Sequence, residues 1–143
     1  MRDVDEIYAA FAQATPPTPQ EIPDIVSNDS ERNEIRDLLA PHLPRDVPDG
    51  DLGRYPLYTM FPFLSAAAFR YFMPRFIEYC VANPRSILSE SLLFALAEDH
   101  YGRIAAFAPS EKAVICEYLE LIAKSPDSSL VVDELKKARA LWA

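Results

Sequence analysis

Apolar residues return every three or four positions in five separate stretches of this chain, a spacing that specifies α-helices. The stretches are Val4, Ile7, Tyr8, Phe11; Ile35, Leu38, Leu39 and on to His42; Phe69, Phe72, Met73, Phe76, Ile77, Cys80; Ile115, Tyr118, Leu119, Ile122; and Val131, Leu135, Ala138, Trp142. Their ends carry helix signals. Asp3 and Glu6 can form a capping box, "NDSE" can cap the second stretch, and Pro41 and Pro44 stop it. Thr18, Pro19 and Glu21 can open a short extra turn, and "SPDS" sets Pro126 at the first position of the last helix. Lys136, Lys137 and Arg139 sit toward the end of that helix, as its dipole favours. A sixth segment, "SILSESLLFALAED" at 86–99, is apolar nearly all round and predicts a helix buried on several sides. No run alternates as a strand would. Three glycines leave few tight hairpins, whereas thirteen prolines suit helix starts and stops. The expectation is one all-α domain over residues 1–143, a compact bundle of about five to seven helices. Residues 43–56 read as a long Pro/Gly loop turning at "PDG".

The third stretch places Pro74 inside an aromatic-rich helix. On a helical wheel its apolar residues cluster on one side, and Pro74 falls toward the face of Tyr71 and Glu78. A proline there removes one backbone hydrogen bond and presses on the carbonyl of Arg70. The prediction is a central helix kinked around the core, or one that stops near Phe72 and restarts at Pro74.

"FRYFMPRFIEYC" at 69–80, followed by "FAPSEKAVICEYLELIA" at 107–123, resembles a family of short bacterial proteins known only as a domain of unknown function. The resemblance rests on Phe72, Met73 and Pro74 closing an aromatic-rich stretch, and on the later pair Tyr118 and Leu119. It implies a helical fold in a bacterial setting and carries no activity, cofactor or catalytic residue.

Charge is uneven along the chain. Residues 1–50 hold eleven acids and four bases, net −7, and residues 51–143 hold eleven and ten, net −1. An acidic surface disfavours nucleic acid and anionic membranes and speeds encounter with basic partners. The "AQA" of residues 12–14 mimics a signal cleavage site, but the acidic start and the missing apolar core argue against one. The longest nearly apolar run, 60–69, is far below the ~20 residues of a membrane span. A cytoplasmic protein is expected, with Cys80 and Cys116 as buried free thiols.

Motifs for chemistry are sparse. His42 reads as a packing or capping residue. Glu98, Asp99, His100, Tyr101 and Arg103 form the densest polar cluster, but consecutive helical positions point apart, so a solvated helix end is expected rather than a metal site. No nucleophile elbow or phosphate-binding glycine loop occurs. No catalytic, cofactor or metal residue is therefore assigned. The leading expectation is a non-enzymatic interaction module of regulatory or immunity type. Asp29, Glu31, Glu34 and Asp37 would then form an acidic face for a basic protein partner. The alternative is a small-molecule-binding protein or small enzyme with an aromatic-lined pocket, drawn from the aromatics of residues 54–64 and the kinked helix. Its residues would be Tyr55, Tyr58, Arg70 and Arg75. A third option is a homo-oligomer formed through the last helix, with Trp142 at its edge.

Overall fold

A computed structural model describes residues 1–25, 29–55 and 57–143, the side chains of Tyr58 and Tyr101 excepted. Among these residues the chain forms seven α-helices and no strand: α1 (Val4–Ala10), α2 (Ser30–Leu39), α3 (Asp49–Leu52), α4 (Ala66–Ala82), α5 (Ile87–Leu96), α6 (Pro109–Ala123) and α7 (Val132–Trp142). Short 3₁₀ turns join them. N-caps form at three of the expected places: Asp3 accepts from the Glu6 amide at 2.9 Å, Asp29 from Glu31 at 3.0 Å, and Thr18 and Glu21 open the turn Pro19–Glu21.

The centre of the molecule is α4, with neighbours on several sides: α1, α3, the turn Pro44–Asp46, α5 and the 3₁₀ segment His100–Ala106. That enclosure corrects the reading of Pro74. The proline is buried rather than outward, and α4 runs unbroken through it instead of restarting there. An aromatic chain threads the core in edge-on contacts, from Phe76 to Phe61 at 5.2 Å, Phe61 to Phe69 at 5.9 Å and Phe69 to Phe107 at 6.0 Å. Phe107 then meets Phe11 of α1 at 6.4 Å and Trp142 of α7 at 4.9 Å. Edge-on pairs of this kind add to the burial of the rings themselves.

Trp142 is 1% exposed and its indole Nε1 donates to the Leu96 carbonyl at 2.9 Å. It fastens α7 to α5 within the same chain, so it is not an edge residue offered to a second copy. Other local expectations are also corrected. Residues 43–56 contain the turn Pro44–Asp46 and α3 rather than one irregular loop. Segment 86–99 buries Leu88, Leu92, Leu93 and Leu96 but leaves Ile87 and Phe94 exposed, because only one broad face meets the core. The last helix begins at Val132, after a 3₁₀ turn over Ser128–Val131, and not at Pro126. Both thiols are free, but Cys116 is only half-buried.

Candidate functional site: a cleft between proline-stopped helix ends

Each residue singled out in the sequence has a definite place. Asp29 caps α2 and pairs with Arg32 at 2.7 Å. Glu31 accepts from the Tyr55 hydroxyl at 3.4 Å, and Asp37 pairs with the adjacent Arg36 at 2.9 Å. Glu34 is exposed. Three of these four acids are thus already engaged within the chain.

Arg70 and Arg75 are structural cations. Arg70 Nε donates to both carboxylate oxygens of Glu111, at 2.8 and 3.0 Å, and Glu111 is wholly buried. Arg75 is 7% exposed; its Nε and Nη2 donate to the Val47 carbonyl at 2.9 and 2.8 Å, and Nη1 to Glu78 at 3.1 Å. It also pairs with Asp49. The pair with Glu78, read from the sequence as a surface contact, is thus part of a clamp that fixes residues 47–49 to α4. Glu78 accepts from the Tyr8 hydroxyl at 2.8 Å as well, which ties in α1. Tyr55 is half exposed, and the Tyr58 side chain lies outside the described residues.

The polar cluster 98–103 departs from a solvated loop. Arg103 is 3% exposed, its guanidinium 4.0 Å over the Phe69 ring, and Nη1 donates to the Phe61 carbonyl at 2.6 Å. Nε is buried without a partner, and burial brings the group's pKa down to about 10. Asp99 caps the following turn by accepting from the Ile104 amide at 3.0 Å. No group of three or more potential metal ligands occurs among the described residues.

A cleft lies elsewhere. Its origin can be read in two helix stops. The Asn83-Pro84 step ends α4, since a residue before proline is pushed out of the helical region. Asn83 then caps the helix end through Nδ2 to the Tyr79 carbonyl at 2.9 Å. Ser86 restarts the chain as α5, accepting from the Ser89 amide at 3.1 Å. On the facing side Ser125-Pro126 ends α6. The gap between these ends is an open cleft of about 730 Å³, bounded by the C-terminal turns of α4 and α6, the start of α5 and residues 125–131.

Its wall is largely apolar, with Val81, Leu93, Leu121, Ile122, Leu130 and Val131. Leu130 is 81% exposed and Leu121 39%, so part of this apolar surface faces solvent. Three buried polar side chains meet at the floor. Ser89 Oγ donates to the Asn83 carbonyl at 2.9 Å and lies 3.4 Å from the Cys80 carbonyl, and the Cys80 thiol and Tyr118 hydroxyl line the same cleft. Burial pushes the Cys80 thiol up to about 11 and raises the Tyr118 hydroxyl well above its ordinary range. Both groups therefore stay protonated and neutral at physiological pH, and the thiol is held away from the thiolate form that makes cysteine a nucleophile. The rim carries Arg85, Lys124, Glu90 and Asp127, with Arg85 and Asp127 paired at 3.2 Å.

None of Tyr55, Arg70 and Arg75 lines this cleft, and among the described residues Tyr118 is its one aromatic. Periodicity gave no warning of it, because its walls are the ends of ordinary core helices. The one available signal was the pair of similar breaks, "NPRS" at 83–86 and "SPDS" at 125–128, each interrupting an apolar helix.

No curated protein and no solved structure matches the chain. A family profile does match, over residues 24–143, a span that contains every residue of the cleft and leaves out α1. The chain belongs to the family of unknown function DUF6714.

Proposed function

We propose that the protein is a non-enzymatic binding protein whose recognition site is the cleft between α4, α5, α6 and residues 125–131. The observation that carries this reading is the combination of apolar wall and neutral polar floor in a cleft of about 730 Å³. Ligand sites typically occupy ~300–1,000 Å³, with mostly apolar walls and a few convergent polar groups. A thiol held protonated suits binding better than nucleophilic chemistry. Two free cysteines fit a cytoplasmic setting. The test is a screen of small apolar and aromatic fragments against the isotope-labelled chain by NMR. Amide shifts should gather at Val81, Ser89, Leu121 and Leu130. Shifts scattered over other surfaces, or none at all, would reject the cleft as the recognition site.

A second reading keeps the interaction module with a basic protein partner, and one observation favours it. All four arginines of residues 1–50 are already in ion pairs: Arg2 with Glu117, Arg32 with Asp24 and Asp29, Arg36 with Asp37, and Arg45 with Asp5. Glu6, Glu34 and Asp46 remain exposed on that third of the chain. Reversing these three charges together should abolish capture of a partner held at low salt. A partner retained equally by the variant would exclude the acidic surface.

A further inference from the structure

We propose that the cleft takes an uncharged amphiphile, an apolar chain or ring system with one small polar group, and discriminates against ions of the same shape. This rests on the cleft being the recognition site and adds the class of molecule it holds.

The first argument is the floor. Cys80, Ser89 and Tyr118 are at least nine-tenths buried, and all three are neutral. The raised pKa values of the thiol and the phenol keep them so across the physiological range. Ser89 Oγ bonds the Asn83 and Cys80 carbonyls, and the thiol and phenol line the cleft beside it. A guest hydroxyl can join such a network as one more neutral partner. A carboxylate or ammonium pushed to the same depth would lose its water and meet no opposite charge, which is the costly way to bury an ion.

The second argument is the rim. Arg85 and Lys124 are balanced by Glu90 and Asp127, and the Arg85–Asp127 pair cancels locally. The entrance therefore has no net charge with which to select an ion. Helix ends supply only a partial one, slightly negative. The C-terminal turns of α4 and α6 carry partial negative charge toward the cleft, and the start of α5 carries partial positive charge. With the volume and the apolar wall, these features describe a site for a neutral, drug-sized molecule.

Two fluorescent probes with one skeleton provide the test: N-phenyl-1-naphthylamine, which is neutral, and 8-anilinonaphthalene-1-sulfonate, which adds a sulfonate. Titrated into the full chain, the neutral probe should saturate and bind about tenfold or more tightly than the sulfonate. Decanol should displace it, while decanoate and decylammonium at equal concentration should not. Leu121→Glu, at a half-exposed wall position, should weaken the neutral probe about tenfold or more, because it sets a charge in the apolar wall. Leu141→Glu, equally exposed and outside the cleft, should leave binding unchanged. Thermal melts followed by circular dichroism establish that both variants are folded. Equal affinity for the sulfonate, displacement by decanoate, or indifference to Leu121→Glu would overturn the proposal. If the neutral probe fails while fragments still shift the cleft's NMR signals, the ligand class is wrong and the site stands. If those signals are also silent, the recognition-site reading falls with it.

Discussion

Arg70 on α4 and Glu111 on α6 are joined through a single nitrogen, the arginine Nε, which donates to both oxygens of a carboxylate with no solvent exposure. The same carboxylate accepts from the Ala108 amide at 2.6 Å and so opens α6 as well as tying it to α4. Removing the cation would strand a buried charge. Arg70→Ala should therefore cost about 3–5 kcal/mol in urea unfolding. Glu111→Gln keeps the shape and an acceptor for Ala108 and should cost markedly less. A loss below about 1 kcal/mol for Arg70→Ala would mean that the pair contributes little and that Arg70 is free for another role.

Pro74 is buried in a helix that does not break at it. Alanine there would restore an amide able to donate to the Arg70 carbonyl, while removing ring atoms from a packed site. These effects oppose each other. Pro74→Ala should leave helical content unchanged and shift the melting temperature by only a few degrees, the equivalent of about 1 kcal/mol in a chain of this size. A collapse of the melt, or a clear change in far-ultraviolet circular dichroism, would show instead that the proline sets the path of α4.

Cys80 makes stability fall in alkali. Its folded pKa is raised by burial from an ordinary value near 9 to about 11. The folded state thus holds a proton that the unfolded chain releases, and stability present below pH 9 is lost as pH rises toward 11. Between pH 8 and 10 the loss should be about 1 kcal/mol. Tyr8 and Tyr118, both raised by burial, add to it from near pH 10. Arg103, lowered by burial to about 10, acts in the opposite direction from that pH upward. Urea midpoints measured from pH 8 to 10 should decline in the native chain and decline less in Cys80→Ala. Parallel slopes in the two proteins would remove Cys80 as the cause.

The helical class was legible because periodicity and capping are local. Asp3, Asp29, Thr18 and Glu21 act where their spacing put them, and the core stripe of α4 is buried as its pattern predicted. Pro74 misled because the wheel describes one helix alone and cannot show that a neighbour covers its second face. Arg70 and Arg75 misled for a related reason. An arginine among apolar residues suggests a polar wall of a pocket, and only packing reveals a carboxylate 41 residues away, or a carbonyl at Val47, that accepts from it. Arg103, read as part of a solvated helix end, is buried against the Phe61 carbonyl for the same reason. The candidate site was the least legible part. It is a gap, and no residue type encodes a gap.

From the sequence alone came the class, the helix starts and most of the buried stripe, since these depend on spacing and on groups within a turn or two of each other. The tertiary structure decided which charges are internal, where Trp142 docks, and that two helices halted by Pro84 and Pro126 face each other across open space. Those outcomes depend on distances between residues far apart in the chain, and the free energy that fixes them exists only once the helices have packed.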